Sequence, residues 1–179
     1  MLERSRTSIG MVGARFHFRR SREEVLSFVD TLASASRILL VMPLDGSPLY
    51  PVAPVLTMLR AHKSDEQITV VVASHSTEAF AALDRSPIIR ILPEEISLFF
   101  LPRRDVLSRI RRSAADLAID LNLDFHLPSG YICRESNARI RVGFSGRHSD
   151  LFYNFQVQTS RVESRTLRYE RFAHCLEMF

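Results

Sequence analysis

A short apolar segment that ends in a polar turn constrains the fold of this chain most. Residues 38–42 read Ile-Leu-Leu-Val-Met, and Pro43, Asp45-Gly46 and Ser47-Pro48 follow directly. Such a run is too short for a helix and too apolar for an edge strand, which is typical of a buried parallel strand. Pro43 ends the strand, Asp45-Gly46 favours a turn, and Ser47-Pro48 can cap and begin a helix. Open α/β sheets bind their ligands at turns of this kind.

Further apolar segments alternate with helical patterns along the chain. Residues 1–20 lack a clear period and predict an arm or an irregular edge, and residues 96–101 are either a strand or a loop packed on the sheet. Strands that alternate with helices form right-handed crossovers onto a parallel sheet. The sequence therefore predicts an N-terminal arm and, over residues 21–179, a single Rossmann-like α/β domain, a three-layer sandwich with a mostly parallel sheet. Strands are predicted at 37–42, 67–73, 88–92, 117–121 and 139–144, and helices at 21–34, 47–62, 76–83, 103–113 and 164–179.

The composition is that of a globular domain that stays in a reducing compartment. Of the 179 residues 46% are apolar, and no apolar run approaches the roughly 18 residues that a spanning helix needs. The arginine-rich N-terminus lacks the continuous apolar stretch of a secretory signal. Cys133 and Cys175 favour two reduced thiols, and the six histidines show no metal-ligand spacing. We therefore expect a cytoplasmic protein with no metal and no cofactor.

The net charge of +4 comes almost wholly from arginine, which forms one cluster within residues 4–22 and another within residues 103–112. Such clusters favour anionic partners, although an arginine-rich composition alone also explains them. The chain has no zinc spacing, no ribonucleoprotein-like aromatic strand and no helix-turn-helix pattern, so no nucleic acid is expected. The second cluster is either the solvated outer face of a helix or, with residues 96–101, a peripheral contact with the inner membrane.

Polar residues that follow the predicted strands form the candidate site. Asp45 at such a turn can act as a general base on a bound hydroxyl, and Ser47 can hold a phosphate at a helix N-terminus. Both residues also have a structural explanation, since Asp-Gly favours turns and serine caps helices. No Gly-x-Gly-x-x-Gly, Walker lysine or Gly-x-Ser-x-Gly motif is present. The candidates are Asp45 and Ser47 after the first strand, Ser74 and His75 after the second, and Asn122 and Asp124 after the fourth.

The order of these motifs resembles a known family. Residues 38–43 (Ile-Leu-Leu-Val-Met-Pro), 54–60 (Pro-Val-Leu-Thr-Met-Leu-Arg) and 68–72 (Ile-Thr-Val-Val-Val) are similar to the N-terminal half of glycosyltransferase family 9. These are the ADP-heptose:lipopolysaccharide heptosyltransferases. Residues 115–122 (Ala-Asp-Leu-Ala-Ile-Asp-Leu-Asn), followed by 138–144 (Ala-Arg-Ile-Arg-Val-Gly-Phe), resemble the next strand signatures of that family. The resemblance extends over about residues 37–160.

The resemblance implies a GT-B architecture, in which two Rossmann-like domains face each other across a cleft. One domain holds the acceptor and the other holds most of the nucleotide-sugar, and 179 residues have room for the first alone. The implied function is a heptosyltransferase-like acceptor domain, catalytically incomplete by itself or acting with a partner, in bacterial lipopolysaccharide or other cell-envelope glycan assembly. The implied chemistry is an inverting, metal-independent transfer with Asp45 as the base, although the family's Gly-Asp order is reversed here. Its implied ligands are a phosphorylated glycolipid acceptor and a nucleotide-sugar.

Two other interpretations fit the same residues. A non-enzymatic binding or assembly module would keep the fold and use its arginines for an anionic or protein partner. A small soluble enzyme would instead use the 43–48 loop and depend on Asp45. In any of these cases the last helix could pack on a second subunit through its apolar residues, which are Phe172, Leu176, Met178 and Phe179.

Overall fold

The computed structural model describes residues 2–19, 34–76 and 85–178. Within these residues, six parallel strands form one sheet in the order β3-β2-β1-β4-β5-β6. The first strand therefore lies in the middle of the sheet, with β2 on one side and β4 on the other. The strands are β1 (Ile38–Val41), β2 (Ile68–Ala73), β3 (Ile88–Ile91), β4 (Leu117–Asp120), β5 (Ile140–Phe144) and β6 (Phe155–Val157).

Helices cover both faces of this sheet. The helices α2 (Ala53–His62) and α5 (Arg165–Glu177) pack on one face. The helices α1 (Leu2–Phe18), α3 (Arg104–Arg112) and α4 (Leu127–Glu135) pack on the other. The arrangement confirms the predicted Rossmann-like α/β fold, and the predicted strands and the last two predicted helices are confirmed to within one or two residues at each end.

The alternation of side chains along β1 explains why the strand is wholly apolar. Ile38 and Leu40 belong to the core under α2 and α5, whereas Leu39 and Val41 belong to the core under α1, α3 and α4. All four side chains are fully buried. A central parallel strand is covered on both faces, so it has no position at which a polar side chain would reach water.

The helix after β1 begins later than its sequence pattern predicts. The sequence indicates a start near residue 47, but the chain first forms a 3-10 turn at Tyr50–Val52, and α2 begins at Ala53. Pro51 and Pro54 lack the backbone N–H that a helix interior requires, so they are tolerated only in these first turns. Residues 43–49 consequently remain a loop at the carboxyl end of β1.

The N-terminal residues are helical, which corrects the prediction of an arm or irregular edge. Met11 and Ala14 of α1 are buried in the core, while Ile9, Val12 and Phe16 on the opposite side are exposed. Because α1 is apolar on both sides, its sequence has no amphipathic period, and a pattern search misses it. The helix packs tightly, since a Cβ at Gly10 would lie 2.1 Å from the carbonyl oxygen of Phe99.

Two other elements, α4 and β6, are absent from the sequence prediction. Nearly every residue of α4 is buried, including Ser129, Gly130 and Glu135, so this helix also lacks a polar face. The strand β6 has three residues, fewer than an alternating pattern needs to be recognised. Residues 96–101 form a loop, closed by a single bridge between Ile96 and Pro102. The predicted helices at 21–34 and 76–83 lie almost entirely outside the described residues.

Candidate functional site

The carboxyl ends of β1 and β4 lie side by side in the middle of the sheet. The chain order of the strands reverses there, because β2 and β3 extend the sheet on one side of β1 and β4 to β6 extend it on the other. Crossover helices on opposite faces leave a crevice at such a switch point, where open α/β sheets bind ligands. Three of the predicted site loops therefore lie along one edge, after β1, β2 and β4.

The loop after β1 is shaped by Asp45 and Gly46. Gly46 adopts a left-handed backbone conformation with φ of 79°, which is favourable for glycine alone among ordinary residues. Asp45 Oδ1 accepts a hydrogen bond of 2.9 Å from the backbone N–H of Ser47. Burial acts to raise the pKa of Asp45, but the hydrogen bonds from Ser47, together with nearby His126 and Arg165, lower it below the ordinary value. Asp45 is therefore an exposed, ionised carboxylate at neutral pH.

Asn122 joins the loop after β1 to the end of β4. Its Oδ1 accepts a hydrogen bond from the backbone N–H of Leu44 at 3.0 Å. Its amide nitrogen donates to the carbonyl oxygen of Met42 at 3.3 Å and to Asp120 Oδ1 at 2.6 Å. The sequence predicts Asn122 as a ligand-binding residue, whereas its buried amide is already used to hold the two loops together.

Asp120 is a buried carboxyl group at the last position of β4. Tyr153 donates a hydrogen bond of 2.5 Å to its Oδ2, and the backbone N–H of Asn122 donates one of 2.9 Å to its Oδ1. Burial raises the pKa of Asp120, and the hydrogen bonds from Tyr153, Asn122 and Ser129 offset this only in part. The side chain is thus a structural anchor for the edge of the sheet rather than a solvent-exposed base.

His126 is close enough to both Asp120 and Asp45 to feel their charge, and it is largely covered by protein. Burial lowers its pKa, and the nearby Asp120 and Asp45 charges oppose this without reversing it. Its Nδ1 is buried without a hydrogen-bond partner among the described residues. His126 is not among the site residues predicted from the sequence. The sequence signal for it is Pro128. A proline in the first turn indicates that α4 begins here, which places His126 at the end of the loop after β4.

A cleft of about 200 Å³ opens at this edge, next to the loop after β1. His75 and His126 are its polar side chains among the described residues, and the remaining lining is apolar. Gly46 lies close to His75, since a Cβ at Gly46 would be 3.9 Å from His75 Nε2. The lining residues are Leu44, Ala73, His75, Ile91, Leu92, Pro93, Ile96, Phe100, His126 and Pro128.

The predicted site residues therefore do not all converge. His75 and Leu44 line the cleft, whereas Asp45 and Ser47 lie in the same loop as Leu44 without lining it. Asp124 instead points to solvent, 3.5 Å from Arg161, and Ser74 uses its backbone N–H to bond the carbonyl oxygen of Ile91. Across the described residues no three His, Cys, Asp or Glu side chains come together as a metal site would require.

The last helix supports the same edge from the opposite face. Tyr169 donates a hydrogen bond of 2.6 Å to the carbonyl oxygen of Leu121, and Arg168 donates one of 3.0 Å to that of Leu123. Phe172 and Leu176 are buried against the sheet, so they stabilise this chain's own core. A contact between subunits at this helix stays a prediction, and it would rest on exposed Met178.

Comparison with known proteins supports the fold. No family model matches the chain, and no curated protein matches it significantly. A crystal structure of a glycosyltransferase family 9 protein from Veillonella parvula DSM 2008 is similar to it, with a TM-score of 0.52 and 16% sequence identity. The similarity covers 88% of this chain and 44% of the other, so the chain spans less than half the length of that protein. None of the helices in the described residues is both long and apolar enough to cross a bilayer. The chain has the same Rossmann-like α/β fold as part of a family 9 glycosyltransferase.

Proposed function

We propose that residues 1–179 form the acceptor-binding half of a heptosyltransferase-like glycosyltransferase. A second Rossmann-like half, in the same or another polypeptide, would hold the nucleotide-sugar. The sequence resemblance and the fold similarity to a family 9 structure support this proposal. The observation that carries it is the position of Asp45, an ionised carboxylate at the end of the central strand, at the switch point and beside a cleft.

The geometry fits the part that a general base has in an inverting transfer. The acceptor hydroxyl attacks the anomeric carbon while the bond from that carbon to the nucleotide diphosphate breaks, and the base takes the hydroxyl proton. Asp45 is ionised at neutral pH and can accept that proton. The hydrogen bond from Ser47 N–H to Asp45 Oδ1 holds the carboxylate in one orientation.

The proposed acceptor is a phosphorylated glycolipid of lipopolysaccharide or of another bacterial envelope glycan. Its support is the family resemblance, and the cleft adds a physical constraint. Because the lining is mostly apolar, the cleft can hold the apolar face of a sugar ring, with His75 and His126 as hydrogen-bonding groups.

Calorimetry on the purified 179-residue chain tests the division into halves. We expect heat of binding with a phosphorylated lipid A-core oligosaccharide, little heat with ADP-sugars, and no sugar transfer when both are mixed with the chain. Transfer by the chain alone would overturn the claim that it is incomplete. If no glycan acceptor binds, the assignment as an acceptor half fails.

The role of Asp45 is tested after a donor-binding half has been supplied and transfer is observed. Asp45→Asn should lower the transfer rate about 10²- to 10⁴-fold, the usual contribution of a general base. Its unfolding free energy should stay within about 0.5 kcal/mol of the wild type, because the side chain is exposed. Asp124→Asn is the matched control, since Asp124 is on a neighbouring loop but faces solvent beside Arg161. Unchanged transfer by Asp45→Asn would exclude it as the base.

A second candidate is a non-enzymatic binding module that keeps the fold. The observation that favours it is the exposure of Arg103, Arg104 and Arg112 on α3 and at its start. Such a module would bind polyanions at low salt and would retain that binding in Asp45→Asn, whereas a transferase would lose activity in the same variant. Absence of binding to both anionic vesicles and a soluble polyanion at low salt would exclude this electrostatic version.

A further inference from the structure

The outer side of α1 carries an apolar stripe. Ile9, Val12 and Phe16 are spaced by three and four residues, which places them on one side of a helix. Their exposed fractions are 54%, 66% and 79%. The opposite side of α1 is buried in the core through Met11 and Ala14, so the stripe is not the face by which the helix attaches to the sheet.

The loop at residues 97–101 extends this stripe. Arg6 Nε donates a hydrogen bond of 2.5 Å to the carbonyl oxygen of Leu98, and Gly10 lies against the carbonyl oxygen of Phe99. Leu98 and Phe99 are 72% and 43% exposed. The loop therefore lies against α1, and we call the exposed apolar side chains of the two segments the α1–loop surface: Ile9, Val12, Phe16, Leu98 and Phe99.

Arginines lie around the α1–loop surface. Arg15 on α1 and Arg19 directly after it are exposed, and Arg103 and Arg104 are exposed where the loop leads into α3. Glu94 and Asp105 are the exposed acidic residues nearest in sequence to the loop, so the local balance remains positive. An apolar centre with a basic margin is complementary to an anionic lipid surface, because the apolar residues enter the acyl boundary while the arginines meet the headgroups.

We propose that the α1–loop surface binds anionic membranes, with α1 lying in the plane of the interface. The charge distribution favours lipid over the other occupants. A second copy of the chain would bring like-charged arginine margins together, and a nucleic acid would leave the five apolar side chains in water. The proposal is independent of any catalytic activity, since none of these residues lines the cleft or touches Asp45.

The first test is co-sedimentation of the 179-residue chain with phosphatidylcholine vesicles, with and without phosphatidylglycerol. The chain should sediment with the anionic vesicles at low salt, remain in solution with neutral ones, and be released as salt is raised. Arg103→Gln and Arg104→Gln should each weaken binding about fivefold, the effect of one basic residue near an anionic surface. Arg139→Gln, an exposed arginine at the other end of the sheet, is the matched control.

The apolar contribution is tested with Phe16→Ser, which should weaken binding about tenfold or more because a phenyl ring would no longer leave water. Val162→Ser is the control, because Val162 is 96% exposed and lies just before α5, on the opposite face of the sheet. The chain contains no tryptophan, so Phe16→Trp provides a fluorescent reporter. Its emission should shift to the blue on anionic vesicles, whereas that of Val162→Trp should not.

Equal binding to neutral and anionic vesicles at low salt would overturn the proposal, as would no binding to either. It is also overturned if Phe16→Ser binds as the wild type does, or if Val162→Ser loses binding equally. A dimer that Phe16→Ser dissociates, without vesicle binding by the wild type, would identify a second copy as the occupant instead. Each variant is first checked by circular dichroism, and the conservative Phe16→Leu should retain most of the binding.

Discussion

The hydroxyl of Tyr153 donates a hydrogen bond of 2.5 Å to Oδ2 of Asp120. Tyr153 precedes β6, whereas Asp120 ends β4, so this contact reaches across β5 at the edge of the sheet that carries the candidate site. Both groups are buried. Burial raises the pKa of Asp120 and also that of Tyr153. Water therefore cannot replace this hydrogen bond if it is broken.

We expect Tyr153→Phe to reduce the free energy of unfolding by about 1–3 kcal/mol, the cost of leaving a buried acceptor unpaired. The folded-state pKa of Asp120 is raised above 3.8. Protonation of Asp120 therefore stabilises the folded state fully below pH 3.8. This stabilisation is lost as the pH rises through the folded-state pKa. The hydrogen bond from Tyr153 favours the ionised form, so its removal should cost more at about pH 8 than at about pH 4. Urea unfolding at both values measures this, and a larger loss at the acidic value would contradict it.

The buried imidazole of His126 should make the protein less stable in mild acid. Its pKa is lowered from 6.5, chiefly by burial. The neutral form therefore contributes stability that is complete above the unfolded pKa of 6.5 and is lost as the pH falls through the folded-state pKa. His126→Gln should make the free energy of unfolding vary less between about pH 7.5 and about pH 5.5. His62→Gln, on the exposed end of α2, is the control for the substitution itself and should change the free energy of unfolding by less than about 0.5 kcal/mol. If the free energy of unfolding of His126→Gln varied with pH as that of the wild type does, a group other than His126 would cause the loss of stability in acid.

Two glycines of α1 should respond in opposite directions to alanine. At Gly10, a Cβ would lie 2.1 Å from the backbone oxygen of Phe99, so Gly10→Ala should destabilise the protein by about 1–3 kcal/mol. At Gly13, the nearest atom is Cδ1 of Leu101 at 3.7 Å, which is ordinary contact. Gly13→Ala should therefore stabilise it by about 0.5–1 kcal/mol through helix propensity. Thermal unfolding compares the two variants, and stabilisation by both would mean that α1 does not pack closely on the loop.

Glu135 on α4 joins the three helices of its layer. It accepts a hydrogen bond from His17 of α1 at 2.6 Å and pairs with Arg111 of α3, and its own side chain is 5% exposed. Glu135→Gln keeps the shape but removes the charge, so it should cost about 1.5–3 kcal/mol. Amide hydrogen exchange should rise in α1, because the hydrogen bond from His17 to the buried carboxylate is weakened. Glu177→Gln, whose side chain is half exposed and 3.9 Å from His174, should change neither quantity.

The central strands could be predicted because a run such as residues 38–42 fits a strand covered on both faces and little else. α1 and α4 could not, because helices with apolar residues on both sides or buried all around leave no period in the sequence. β6 was too short to be distinguished from a loop. The fold follows from β1, β2 and β4, and these are also the elements with the plainest sequence pattern.

The candidate site was predictable in position but not in detail. Loops after parallel strands must meet at one edge, which brings Asp45, Ser47 and His75 together. Whether a polar side chain there faces the cleft or the protein depends on its neighbours, and Asn122 faces the protein. Tyr153 could not be predicted to meet Asp120, because that contact depends on where the chain turns before β6, and β6 itself had no recognisable pattern.

The way in which α1 is attached has a consequence for the order of folding during synthesis. Three of its polar contacts reach residues 92, 118 and 133 positions later in the chain, at Leu98, Glu135 and His148. A ribosome makes this helix before its partners, so a long stretch of chain must emerge before those contacts can form. Until then the helix exposes apolar residues on both its sides, which makes the nascent chain prone to aggregation or to capture by a chaperone. Among the described elements, α1 is thus made before the others and is one of the last to be secured.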